Sequence, residues 1–125
     1  MRRLIILGLL GLALSSCVTP SIPIPPPDPQ KMAFVLVGMG TETRASFTYE
    51  PEINYIGAIV FVYNRDKGVG IISNANGDGG VGPTAPVAAT LGDQIVVSFE
   101  REDQTVSTCI KLREGQQSST DFCGP

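Results

Sequence analysis

Two hydrophobic patterns divide this chain, and a proline-rich stretch separates them. Residues 4–14 form a short apolar run, led by Arg2 and Arg3 and closed by Leu14-Ser15-Ser16-Cys17. Residues 18–30 then carry six prolines, which block both helix and internal strand. From Lys31 onward the apolar positions recur with period two, the signature of strands. Residues 32–37 are β-rich and end at Gly38. Residues 44–49 alternate until Pro51 stops them. Residues 56–63 are almost wholly apolar, which predicts a central strand buried on both faces. The polar residues 64–68 read as a turn, and residues 69–73 as the returning strand. Residues 94–100, a turn at 101–104 and residues 105–112 complete a second hairpin. No stretch after Ser16 carries a capped helical stripe. The pattern predicts an all-β chain, a small antiparallel sandwich or barrel of about seven strands.

The first segment has the layout of an export signal: basic start, short apolar run, small residues at the cleavage point. It is too short to span a ~30 Å hydrocarbon core, which takes ~20 apolar residues. Leu14-Ser15-Ser16-Cys17 resembles the lipobox of bacterial lipoproteins. The resemblance implies cleavage before Cys17 and acylation of Cys17 by chains such as palmitate, with a membrane as the first partner. Two or three acyl chains hold a protein firmly, at ~0.8 kcal/mol per buried methylene. Val18, where retention in the inner membrane usually goes with Asp, points the same resemblance toward the outer membrane of the cell envelope. The chain then divides into a signal (residues 1–16), a lipidated cysteine with a proline-rich tether (17–30) and a domain (31–125). As polyproline II at ~3.1 Å per residue, the tether would hold the domain some 30–40 Å from its anchor.

Residues 57–112 carry a second resemblance. Gly57 and Ile59 ahead of Val62-Tyr63-Asn64, a short turn, Ile71-Ile72-Ser73 with the turn Asn74-Ala75-Asn76-Gly77-Asp78-Gly79, then Pro86-Val87-Ala88-Ala89, Gly92-Asp93 and two closing strands follow in an order similar to bacterial immunoglobulin-like domains of envelope proteins. That resemblance implies an immunoglobulin-like sandwich with a structural or protein-binding role and an envelope protein as partner. It carries no cofactor and no catalytic residue. With Cys17 acylated, Cys109 and Cys123 remain as a pair in a chain bound for an oxidising compartment. A disulfide closing their loop of ~15 residues would contribute on the order of 3 kcal/mol. It would pin the C-terminal tail onto the last strand.

Composition narrows the chemistry further. Cleavage leaves about 109 residues, enough for one small domain. The formal net charge is −3, and two units more negative once Arg2 and Arg3 leave, so nucleic acid is not an expected partner. There is no histidine, and the two acidic clusters, Glu50 with Glu52 and Glu100 with Glu102 and Asp103, sit where strands end. Both read as solvated turn charges, and the domain as no enzyme. Asn74 to Asp78 alternates oxygen side chains as a calcium loop does, but position twelve is Ala85 rather than a bidentate Glu, so a glycine-rich turn is expected and no metal. Gly77 to Gly82 is no phosphate cradle, because Pro83 and Pro86 follow where a helix N-terminus would be needed. Tyr49, Tyr55, Phe61 and Tyr63 offer aromatic faces for a glycan or peptidoglycan, the alternative role to a protein-interaction module. A third role, inhibition of a periplasmic or secreted hydrolase, calls for a protruding rigid loop at residues 79–86. Residues 32–37 and 69–73 are the candidate edges for pairing with a partner strand.

Overall fold

The computed structural model describes residues 23–38 and 43–123. Eight strands follow one another: Met32–Val37 (β1), Arg44–Tyr49 (β2), Ile59–Asn64 (β3), Val69–Asn74 (β4), Val87–Ala88 (β5), Gln94–Arg101 (β6), Gln104–Lys111 (β7) and Gly115–Gln116 (β8). They form two four-stranded antiparallel sheets, ordered β5-β2-β1-β8 and β4-β3-β6-β7. The described residues contain no α-helix, only the 3-10 turns Pro29–Lys31 and Ile53–Tyr55. The second sheet has the C′-C-F-G order of an immunoglobulin sandwich. The first has its A-B-E order, with β8 added beside β1.

Period two places the core. Met32 and Phe34 of β1, Ala45, Phe47 and Tyr49 of β2, Val60 and Val62 of β3, and Ile95, Val97 and Phe99 of β6 all turn inward and are buried. The centre is aromatic. Phe99 stacks on Tyr55 at 4.0 Å between ring centroids, and Tyr49 meets both edge-on at 5.2 and 5.6 Å. Such pairs contribute ~0.5–1.5 kcal/mol beyond the area they bury.

Strands β1 and β2 have the bounds that the sequence pattern predicts, whereas β3 differs in two ways. It begins at Ile59 rather than residue 56, because Tyr55 closes a 3-10 turn and Gly57, at φ +81°, turns the chain into the strand. It is central, between β4 and β6, but buried on one face only. Ile59 and Tyr63 are 39 % and 45 % exposed on its other face. Strands β5 and β8 are two residues each, too short to show an alternation. At the C-terminus Cys109 and Cys123 are disulfide-bonded. Cys123 N–H donates to the Cys109 carbonyl at 3.0 Å and Lys111 N–H to the Asp121 carbonyl at 2.7 Å, so the tail runs along the outer edge of β7.

Candidate functional site

The expected signal, Cys17 of the expected lipobox and residues 18–22 of the expected tether lie outside the described residues. The rest of the proline-rich segment is not a free spacer. Residues 23–31 form a belt across one side of the sandwich, held by groups of β2, β7 and the 3-10 turn Ile53–Tyr55. Ile24 N–H donates to Gln104 Oε1 at 2.8 Å, and Thr108 Oγ1 donates to the Pro27 carbonyl at 2.6 Å. Tyr55 Oη donates to the Pro25 carbonyl at 2.6 Å, while Asp28 N–H donates to Tyr49 Oη at 2.9 Å. Ile24, Pro27 and Pro29 are buried against the strands. Proline suits this path, because a segment with few N–H groups leaves few donors to satisfy where no ladder partner exists.

Between belt and sandwich lies a cavity of about 360 Å³, lined by Pro25, Pro26, Asp28, Lys31, Tyr49, Glu52 and Tyr55. Lys31 Nζ lies 2.9 Å from Glu52 Oε2, and Asn54 Nδ2 donates to the other carboxylate oxygen at 2.6 Å. The hydrogen bond from Lys31, outweighing burial, holds the Glu52 carboxyl below the usual carboxylate range. The same bond raises the Lys31 ammonium. Burial pushes both phenols up, and at Tyr55 the adjoining Tyr49 phenol and the Glu52 and Asp28 carboxylates further oppose ionisation. Both therefore stay neutral at physiological pH, a state suited to posts that anchor the belt.

The other predicted positions scatter. In the turn after β4, Asp78 Oδ1 accepts from Gly80 N–H at 2.9 Å, so its carboxylate closes its own turn. Gly79 sits at φ +84° where a Cβ would overlap the Glu52 carbonyl oxygen, so only glycine fits there. Residues 79–86 are fastened to β2 at two points, with Pro83, Ala85 and Pro86 exposed. Val81 bridges Tyr49, Thr84 Oγ1 accepts from Phe47 N–H, and both side chains are buried. Of the aromatic residues, Tyr49 and Tyr55 belong to the core. Tyr63 and Phe61 face outward on β3, with Tyr63 opposite Gly70, the far end of β4 from Asn74. Glu50, Glu102 and Asp103 are exposed or nearly so at the strand ends. No group of three or more His, Cys, Asp or Glu side chains among the described residues could hold a metal ion.

The two candidate edges separate cleanly. β1 lies between β2 and β8, inside its sheet. β4 is a sheet edge six residues long. Gly68 N–H donates to the Asn64 carbonyl, Arg65 N–H to the Gln94 carbonyl and Ala75 N–H to the Ala58 carbonyl. Main-chain groups alternate sides along an antiparallel strand, so Val69, Ile71 and Ser73 bond to β3. Gly70, Ile72 and Asn74 turn their N–H and C=O groups outward. Edges are ordinarily blunted by charge, proline, shortness or a cover. β5 and β8 are short, and the tail covers part of β7, but Val-Gly-Ile-Ile-Ser-Asn has none of these devices.

Sequence reasoning missed two groups of residues. One is the set of belt posts: Gln104 and Thr108, together with Tyr49 and Tyr55, expected as faces for a glycan rather than as anchors. The other is Asn64, fully buried at the end of β3. A signal for Asn64 exists: it shares inward parity with Val60 and Val62, and an inward Asn needs partners. No family model, curated protein or solved structure matches this chain.

Proposed function

We propose that this chain is a membrane-anchored lipoprotein of the bacterial envelope, held by acyl chains on Cys17. Its immunoglobulin-like sandwich is a non-catalytic module that binds an envelope protein by strand addition to β4. The anchor rests on the order Arg2-Arg3, apolar run, Leu14-Ser15-Ser16-Cys17. The observation that carries the module's role is the open edge of β4, where three residues turn main-chain groups outward and Ile72 is 71 % exposed. A partner strand laid there gains main-chain hydrogen bonds, and the outward face of Ile72 and Phe61 supplies side-chain selectivity.

The test is co-purification of the acylated protein from gently solubilised membranes, with Cys17→Ser and Ile72→Lys variants. Ile72→Lys puts a charge on an exposed edge and leaves the ladder to β3 intact, so its stability should stay within about 0.5 kcal/mol of the parent. It should lose a stoichiometric partner that the parent retains. A partner held equally by Ile72→Lys would remove β4 as the docking edge. A membrane-extracted protein whose Cys17 carries no acyl mass would remove the anchor. Retention on purified cell wall with no protein partner would favour the glycan-binding role.

A further inference from the structure

One end of the sandwich combines the point where the chain enters with three exposed isoleucines. Ile24 is bonded to Gln104 at the start of β7, which pairs with Arg101 across the β6–β7 turn. Arg101 Nη1 in turn donates to the Asn54 carbonyl at 3.0 Å. The neighbours of Asn54 are the exposed apolar residues: Ile53 at 75 %, Ile56 at 40 % and, opening β3, Ile59 at 39 %. Ile53 opens the 3-10 turn and Ile56 caps it, its N–H bonded back to the Ile53 carbonyl, so the two are held at one turn. Nothing in the core needs them there, and a turn at a sandwich end ordinarily carries polar residues.

The belt determines where this end lies relative to Cys17. Because residues 23–31 are bound to the strands, only the link from Cys17 to Pro23 separates the acylation site from the folded domain, and an extended chain bounds that link at about 20 Å. The eight residues of β6 alone span ~27 Å. Such a link, starting from this end, is shorter than β6, so a bilayer holding Cys17 would meet the end bearing Ile53 before the opposite end at the β5–β6 turn. Charge selects the type of surface. Glu102 and Asp103 are exposed in the β6–β7 turn at this same end, while Arg101 is engaged by Asn54, so anionic headgroups are disfavoured.

We propose that the sandwich is seated on the bilayer that anchors it, with Ile53, Ile56 and Ile59 in the interface of a zwitterionic leaflet. This rests on the lipoprotein reading and adds the partner surface and the orientation. The absence of tryptophan from the chain makes a single inserted Trp a unique reporter. Full-length acylated Ile53→Trp is reconstituted into phosphatidylcholine–phosphatidylethanolamine vesicles carrying brominated acyl chains. Ile56→Trp serves as a second reporter, and Leu91→Trp, at a 60 % exposed position in the β5–β6 turn, as the distal control.

The expected result is blue-shifted emission with about half of it quenched at positions 53 and 56, as for a ring ~5–10 Å into the headgroup boundary. Leu91→Trp should stay unquenched. Adding phosphatidylglycerol at low salt should reduce quenching at 53; an increase would overturn the zwitterionic assignment. Protein that floats with the vesicles but is quenched at no position, or equally at all three, would overturn the seating and leave the anchor standing. Protein whose Cys17 carries no acyl mass and which does not float would remove the lipoprotein reading and the seating with it.

Discussion

Phe99→Ala should lower the unfolding free energy by about 3–5 kcal/mol, the range for truncating a buried aromatic side chain. Phe99 is fully buried on β6, its ring stacked on Tyr55 with 14° between planes and met edge-on by Tyr49 at 64°. The void left by the ring has few ways to close. Tyr55 is tied through Oη to Pro25, and Tyr49 through Oη to Asp28. Both rings would have to leave those partners to fill the space. Urea unfolding followed by circular dichroism reads the change as a fall in midpoint at unchanged slope. Against a total of ~5–15 kcal/mol for a domain, the loss is a large share. A loss near 1 kcal/mol would mean that the tyrosines move freely into the gap and that the belt does not hold them. Amide exchange at Ile24 and Asp28 separates these cases, because a loosened belt exposes those N–H groups first.

That coupling between belt and core explains which parts of the molecule were legible in the sequence. Alternation located β1, β2 and β6 because each has an inner row of apolar side chains long enough to show the period, whereas β7, with Gln104 and Thr108 beside Val106 and Ile110 on its inner row, was read as the return of the β6 hairpin. The central place of β3 followed from its apolar run. Its solvent-facing side did not, since a continuous apolar run reads identically whether one face or two are covered. The prolines of residues 23–29 excluded regular structure there, but composition gives no address for a segment without periodicity. Its partners Gln104 and Thr108 lie 80 and 81 positions away from the residues they hold, and neither motif nor spacing encodes such a contact. The pairing of Cys109 with Cys123 was legible because, with Cys17 expected to carry lipid, two of the three cysteines remain, in a chain expected in an oxidising compartment. The candidate site obeys the same rule. The β4 edge was readable as one of two alternatives, and only the sheet order, which places β1 inside its sheet, separates them.

Asn64→Ala should cost about 3–5 kcal/mol although it removes no apolar packing, because it strips partners from several groups at ~1–3 kcal/mol each. Asn64 is fully buried, and its amide makes four hydrogen bonds. Nδ2 donates to the Ala88 carbonyl at 3.0 Å and to Asp93 Oδ2 at 2.8 Å. Oδ1 accepts from Asp66 N–H at 2.9 Å and from Lys67 N–H at 3.1 Å. One side chain thereby ties the β3–β4 turn to β5 and to the loop that enters β6. Asp93 also accepts from Thr90 N–H and pairs with Lys67 Nζ at 3.1 Å, while Asp66 Oδ2 accepts from Gln94 N–H. Burial alone would raise the Asp93 carboxyl. The bonds from Asn64, Thr90 and Lys67 outweigh it and hold the carboxyl below its usual value. That direction fixes the sign for stability. A carboxyl lowered by folding stabilises the native state above its unfolded pKa of ~3.9, and that contribution is lost as pH falls through the lower folded value. Asn64→Asp supplies the opposite sign in nearly the same volume. Two carboxylates at hydrogen-bond distance cannot both ionise cheaply, so at least one is raised by the pair. The parent should therefore lose stability on acidification through the carboxylate range, whereas Asn64→Asp, much the weaker at neutral pH, should gain stability relative to the parent over the same interval. Urea midpoints measured for both proteins from neutral pH down to ~3.5 would show the two curves converging. Parallel curves would mean that Asn64 and Asp93 do not share the bond, and the turn, β5 and the loop would then need another source of their alignment.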